Sequence, residues 1–477
     1  MGFYHSRVIV RIKQLVSGAG MQTIVPQLLG IALFVALSQW LPKETFGLMG
    51  WYTATSYVLV VLGSFGLEQI VYRRVAAGRG SGDWAAKAFW VHNLAVTLVL
   101  LILLAAGALL FPSAKTDLLP VFFATQAMLS LATPFRLLLN ARLQFKPYAI
   151  ATILANGAKL LGAYVIYRSG TLSLLAVGLV MLGGNALEYI LAWRTFRKAP
   201  KQVFRPNAYR LLLKEAVPQY LAVVFDVLLS RVDWILIGVL ATTTALADYS
   251  FAYRAYEVER LPVTLMSSLL LPIVVRNQTN EQPSPALQTT YRSLLLLVPL
   301  LMSGVSWMVV LFWKPVVGGM LNSEFGNSSY LLIGILNLSL VFQFAINQLW
   351  IQAFAARKYV LITRITLFTA LLNLLCNLVL IPRLNASGAA WSIVISTIFQ
   401  FGCYAVGVRK IGFPVPVLQL TGFFLLHVFL FGMLVRTSVP TLVVGGAILL
   451  IYPVLLWATG LLNGQKLWSL LNFRKAL

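Results

Sequence analysis

Long apolar runs separated by short polar breaks recur along the whole chain. Runs long enough to cross a bilayer as helices fall at 15–41, 48–70, 88–111, 118–139, 148–167 and 171–194. After the basic break RTFRKAPKQVFRPNAYR they resume at 214–241, 246–275, 292–313, 330–354, 360–381, 387–408, 417–435 and 439–462. The pattern predicts an all-α integral membrane protein with fourteen transmembrane helices. The break near 197–213 divides the first twelve into two sets of six. Each set has a basic residue beside an aromatic before its fifth span (KPYAI at 146–150, RKYVL at 357–361) and closes on Arg-Lys (Arg197 and Lys198, Arg409 and Lys410). Six spans per half give both halves one orientation, a parallel pseudo-symmetric repeat. The predicted organisation is a six-helix lobe at 1–200, a second at 201–410, and two additional transmembrane helices at 411–477. Pro200 and Pro206 between the lobes predict an irregular connection.

Composition agrees with a membrane solvent. Of the 477 residues 59% are hydrophobic and 10% charged, too few polar groups to cover a water-soluble surface. The net charge of +24 is explained by topology. Outer loops carry only Lys43, Lys115, Arg168, Lys314, Arg383 and Arg436, the spans hold Lys159, Arg231, Arg254 and Arg260, and the remaining basic residues fall on the inner side. This asymmetry places both termini in the cytoplasm and matches anionic lipid, so no nucleic-acid partner is required. Arg7, Arg11 and Lys13 precede an apolar run long enough to span, which predicts an uncleaved first helix. Cys376 and Cys403 sit in apolar runs and His5, His92 and His427 are scattered, so neither a disulfide framework nor a metal site is predicted. Catalytic signatures are missing too. GRGSGD at 78–83 has no strand before it, and neither a P-loop nor HExxH occurs. No cofactor is predicted, and a coupling ion is left open.

The chemistry concentrates in the seventh and eighth spans. Two apolar helices joined by ATTTALA hold Asp226, Arg231, Asp233, Asp248, Arg254, Glu257, Glu259 and Arg260. An ionisable group at membrane depth costs about 2.5–3.5 kcal/mol on insertion scales, so such groups pair, face inward and mark functional sites. At 100° per residue Gln219, Asp226, Ser230 and Asp233 share one stripe, with Arg231 elsewhere. On the next helix Arg254, Glu257 and Arg260 form an i, i+3, i+6 ridge beside Tyr253 and Tyr256. Two readings stand. Arg254 and Arg260 receive a phosphate or pyrophosphate through their planar donor forks, or they are satisfied by internal salt bridges to Asp226, Asp233 and Glu257. Lys159 in the fifth span is either a second substrate cation or a partner for Glu188. Tyr253 and Tyr256 either stack on sugar or pack as aromatics. Asp226, Asp233, Glu257 and Arg231 are the candidates for gating or coupling. Glu68 reads as a snorkelling residue at a cytoplasmic end, and Arg136 and Arg142 either as positive-inside residues or as guides for an anionic headgroup at the inner mouth.

RVDWILIGVL followed by ADYSFAYRAYEVERLPVTLMSSLLLPIVVR, with the earlier LPKETFGLMGWYTATSYVLVVLGSFGLEQIVYRRVA, resembles the polysaccharide repeat-unit flippases of the multidrug, oligosaccharidyl-lipid and polysaccharide exporter superfamily. YRAYEVERLP also resembles the lipid II flippases, in which the residues matching Arg254 and Glu257 belong to a central charged cavity. The resemblance implies two six-helix lobes around a central cavity, with the first, second, seventh and eighth spans forming a lateral portal. It implies alternating access that carries an undecaprenyl-pyrophosphate-linked oligosaccharide across the bacterial cytoplasmic (inner) membrane for O-antigen, lipopolysaccharide or exopolysaccharide. A monomer is expected, with membrane lipids, a polysaccharide polymerase and glycosyltransferases as partners. Unlike the lipid II flippases, the first span has no cation in its apolar part, and acids in the spans are no fewer than bases, so lipid II itself is not implied. The competing function is a cation-coupled multidrug antiporter with Asp226 and Asp233 as coupling carboxylates. A membrane glycosyltransferase or polymerase would need a large outer loop for catalytic acids, which the chain lacks.

Overall fold

A computed structural model describes residues 21–22, 24–76, 81–113, 115–142, 144–196, 205–263, 274, 285–321, 323–409 and 416–436. The basic N-terminal segment, the first half of GRGSGD, residues 197–204 of the basic break, residues 264–273 and 275 of the eighth expected span, and the span expected at 439–462 lie outside them. All regular elements among the described residues are helices. In chain order they are α1 (Ile24–Trp40), α2 (Lys43–Gly63), α3 (Leu67–Ala76), α4 (Ser81–Leu110), α5 (Leu119–Ala141), α6 (Phe145–Arg168), α7 (Leu174–Phe196), α8 (Pro206–Leu240) and α9 (Thr243–Glu259). There follow α10 (Pro285–Phe312), continued by a wide π-helical stretch (Trp313–Leu321), then α11 (Ser323–Ser328), α12 (Tyr330–Leu338), α13 (Leu340–Ala355), α14 (Tyr359–Leu384), α15 (Ala386–Gly407) and α16 (Val417–Arg436). Ten spans among the described residues are long and apolar enough to cross a membrane, the one from Tyr330 to Ala355 combining α12 and α13.

The chain forms two compact units, Met1–Ile235 and Leu236–Leu477. In the first, α5 is the central helix, packed against α2, α3, α4, α6 and α7. In the second, the broken helix α12–α13 is packed against α9, α10, α15 and α16. These are the most buried of the apolar spans, whereas α4 is buried chiefly in its first turns, at Trp84, Ala85, Ala86, Ala88 and Phe89, and leaves Leu98, Val99, Ile102, Leu103, Leu109 and Leu110 exposed.

Two boundaries differ from the hydropathy pattern. The second span does not run unbroken to residue 70. Phe65 (φ 53°) and Gly66 (φ 67°) take the left-handed conformation and divide α2 from α3. A Cβ on Gly66 would lie 2.8 Å from the Tyr220 backbone nitrogen, so only glycine lets α3 and α8 approach this closely. The second difference concerns Pro206, expected in an irregular connection. It opens α8 as the first helical residue, where a missing N–H costs nothing. The early turns of α8 bury Leu212 and Ala216 against Leu67, Val71, Trp84 and Phe89 of α3 and α4. Around that cluster His92 is hydrogen-bonded to Tyr209 (2.7 Å) and to the Gly63 carbonyl (2.8 Å), and Arg74 pairs with Glu215 at 2.7 Å.

Substituting Gly66→Ala combines a positive φ with a backbone clash. It is expected to destabilise the fold by about 1–3 kcal/mol, read as a lowered midpoint of thermal unfolding in detergent. An unchanged midpoint would contradict the close α3–α8 approach.

Candidate functional site

Charged side chains concentrate on two consecutive helices, α8 and α9. α8 carries Lys214, Glu215, Asp226, Arg231 and Asp233, and α9 packs Asp248, Arg254, Glu257 and Glu259 into 17 residues. Between them Thr242 caps α9, its hydroxyl accepting from the Ala245 N–H at 3.1 Å.

On α8, in the first unit, the candidates have three different surroundings. Asp226 lies on the wall of a cavity of about 690 Å³. The Arg231 guanidinium sits over the rings of Tyr57 (5.7 Å) and Trp234 (5.2 Å). Asp233 is buried, with one carboxylate oxygen accepting from the Trp234 N–H at 2.8 Å.

On α9, in the second unit, Arg254 donates from Nη1 to Glu257 at 2.9 Å, and both side chains keep part of their surface open, 42% and 28%. An ion pair in so open a setting contributes little, about 0–1 kcal/mol, and yields readily to a better anion. Arg260 ends the helix, its guanidinium 5.5 Å from the centre of the Tyr256 ring. Tyr256 is buried and hydrogen-bonded to the Ser339 hydroxyl at 2.7 Å. Tyr253 is buried as well, in a row with Tyr249 and Tyr256 at centroid spacings of 5.6 Å. Residues 264 and 267, which would extend this stripe, lie outside the described residues. The tyrosine row therefore backs the ridge, and Arg254 and Glu257 present it.

The cavity of the first unit is a feature that sequence reasoning did not find. α2, α3, α4, α5 and α8 enclose it. Its floor is the ion pair of Arg136 with Glu68, 2.8 Å long, two residues assigned from sequence to positive-inside and snorkelling roles. Gln69, Gln126, Ser130 and Thr133 add amide and hydroxyl groups, and Tyr57 and Tyr72 add aromatic faces. No spacing signal links Glu68 to Arg136, because the helices that carry them meet only in the folded unit. Gln219 donates to Gln69 at 2.8 Å beside this cavity.

Lys159 stands apart from the cavity lining. It is 9% exposed, in the seam of α5, α6 and α7, and donates to the Asn185 side-chain oxygen at 2.8 Å. Asn185 in turn donates to the Thr125 carbonyl at 2.8 Å, and Glu188, the partner considered from sequence, accepts from the Tyr148 hydroxyl at 2.6 Å. Gly184 makes room for the lysine stem, since a Cβ there would lie 2.3 Å from its Cγ. Among the described residues no three His, Cys, Asp or Glu side chains form a group suited to a metal ion.

The helical fold of the described residues is shared with known membrane transporters. The chain resembles a lipid II flippase, MurJ, in an inward closed conformation, with TM-score 0.73 and 14% identity over 93% of this chain and 99% of that one. It also resembles an inward-facing multidrug resistance MATE transporter of the MOP superfamily (TM-score 0.58, 13% identity, 89% and 99% of the two chains). A Vibrio cholerae MATE transporter matches with TM-score 0.56 and 14% identity over 85% and 98%. At these identities the likeness is one of fold. No curated protein matches the chain in sequence. A family model described as "Polysaccharide biosynthesis protein" matches residues 16–278. The chain belongs to that family.

The two polar clusters of the first unit are expected to respond differently to substitution. Arg136→Gln breaks an open ion pair and is expected to change stability by less than about 1 kcal/mol. Lys159→Ala leaves Asn185 without its donor and opens a void beside Gly184, a loss of about 1–3 kcal/mol. Denaturation of the purified variants compares them, and equal losses would contradict the assignment of Lys159 to the helix seam.

Proposed function

We propose that this protein is a flippase that carries a prenyl-pyrophosphate-linked oligosaccharide from the inner to the outer leaflet of the bacterial cytoplasmic membrane, for assembly of a surface polysaccharide. The observation that carries the proposal is a cavity of about 690 Å³ whose mixed lining places amide, hydroxyl and tyrosine groups among apolar side chains, in a chain from a polysaccharide biosynthesis family. Sugars need such a lining, because each hydroxyl taken from water must find a partner. The lipid tail needs only the bilayer.

In this account Arg254 and Arg260 hold the pyrophosphate. Glu257 occupies Arg254 in the resting state, and a doubly charged phosphate group displaces it, since bidentate Arg–phosphate contacts are among the stronger hydrogen bonds available. Tyr253 and Tyr256 fix the ridge from behind. Asp226, Asp233 and Arg231 on α8 respond to the cargo as gating or coupling groups. Lys159 serves the fold of the helix seam. The distribution of basic residues puts both termini in the cytoplasm. Two six-helix lobes followed by two further spans remain the proposed organisation, and the protein acts as a monomer alongside the polymerase and glycosyltransferases of the same polysaccharide.

One observation favours a second reading. Asp226 lies on the cavity wall, and multidrug MATE transporters share the fold, as a cation-coupled antiporter using Asp226 and Asp233 would require.

Arg254→Ala and Arg260→Ala are each expected to abolish surface polysaccharide while leaving the protein in the membrane at normal levels, measured by polysaccharide gels and immunoblots of membrane fractions. Normal polysaccharide in both variants would remove the phosphate site. Retained polysaccharide together with lost drug resistance would favour the antiporter.

A further inference from the structure

The second unit contains a buried polar cluster that the flippase reading does not use. Glu259, the last residue of α9, is 8% exposed and forms no ion pair among the described residues. One of its carboxylate oxygens accepts from the Asn337 side chain at 3.3 Å, and the other, Oε2, has no hydrogen-bond partner among the described residues. The Ser306 side chain is a further hydrogen-bond neighbour of the carboxyl, but neutral donors alone leave a charged carboxylate in such a place expensive, and the usual remedies are a cation or a proton.

Among the described residues no cation forms an ion pair with it. On α9 itself Arg254 contacts Glu257, Arg260 lies over Tyr256, and the Tyr256 hydroxyl goes to Ser339. α9 packs against α10, α11, α12 and α15. Their titratable groups are engaged elsewhere or differently placed. Tyr330 lies under Lys314, Tyr404 and Cys403 belong to an apolar cluster of α13–α16, and Glu324 on α11 is itself acidic. The Tyr291 and Arg292 side chains lie outside the described residues.

Asn337 leads instead to a histidine. It lines a cavity of about 10 Å³ together with Ser306, Trp307, Gly334, His427 and Phe431. That volume suits a single water molecule. Asn337 Oδ1 and the Trp307 indole N–H both lack partners among the described residues. One is an acceptor and the other a donor, a mixed set that matches water and suits a metal ion poorly. His427 is 3% exposed. Its Nδ1 is 2.6 Å from the Phe423 carbonyl, and the Ser303 carbonyl is a second hydrogen-bond neighbour of the ring. A neutral imidazole has one N–H and can donate to one of these carbonyls, whereas the imidazolium donates to both. The site is built deliberately close. A Cβ on Gly334 would lie 2.1 Å from the Phe431 ring, so glycine is what lets α16 seat His427 against α12.

We propose that Glu259 and His427, connected by Asn337 and one water molecule, form a proton-binding site in the second unit. A carboxylate with no ion pair among the described residues gains by taking up a proton, and an imidazole between two carbonyls gains by holding a second one, so the two groups compete for one proton along this connection. The site joins α9, α12 and α16, and its carboxyl is on the residue before Arg260, so its protonation alters the charge next to the proposed phosphate ridge. The proposal stands on this geometry and does not depend on the identity of the cargo.

The test is infrared difference spectroscopy of the full-length protein in lipid vesicles during pH jumps between about pH 5 and 8, the range in which histidine-linked sites exchange protons. The wild type is expected to show the C=O band of a buried protonated carboxyl that changes with pH. Glu259→Gln should remove that band, and His427→Gln, a milder change that keeps a hydrogen-bonding side chain, should displace its pH midpoint. Absence of the band in the wild type, its persistence in Glu259→Gln, or an unmoved midpoint in His427→Gln would overturn the proposal. So would a spectral change driven by sodium at fixed pH, which would mark a metal-ion site. Should Glu259→Gln fail to fold, the His427→Gln midpoint decides alone.

Discussion

Charge in an apolar solvent is the constraint on which this structure depends. A soluble protein can leave Lys, Arg, Asp and Glu to water, but here each such group within a span must be matched inside the protein or kept at an opening. The result is visible at several of the charged side chains. Glu68 meets Arg136, Arg254 meets Glu257, and Lys159 meets the Asn185 carbonyl oxygen. The matches differ in strength and therefore in use. Lys159 is enclosed and fixes a helix seam. Arg254 and Glu257 are partly open and joined by a bond that costs little to break, which is the state in which a binding site can wait for an anion.

Much of the fold was legible because the bilayer imposes one simple rule on sequence. The ten apolar spans among the described residues coincide with runs that hydropathy alone locates. What hydropathy misses is local geometry. The break at Phe65 and Gly66 depends on α8 pressing against α3, a contact between residues far apart in the chain. Pro206 looked like a connector because proline is read as a breaker, yet at the first position of a helix it is at home.

The site was legible in part, for the same reason. The Arg254, Glu257 and Arg260 ridge stands on one helix, where spacing determines face, and the Arg254–Glu257 contact follows from i, i+3 geometry. The cavity is assembled from five helices, and no spacing in the sequence announces that Glu68 and Arg136 will meet across it. Tyr253 and Tyr256 illustrate the limit from the other side. Their stripe was readable, but whether it faced a ligand or the protein interior was decided by packing, and both are buried.

The central claim is that a sugar chain on a lipid pyrophosphate crosses the membrane through this protein. The most direct measurement uses proteoliposomes loaded with a fluorescent prenyl-pyrophosphate-linked oligosaccharide, followed by a membrane-impermeant glycosidase added outside. The account predicts that the protein makes substrate from the inner leaflet susceptible to cleavage, and that inorganic pyrophosphate slows the process by competing for Arg254 and Arg260. Cleavage no greater than in protein-free vesicles would contradict it.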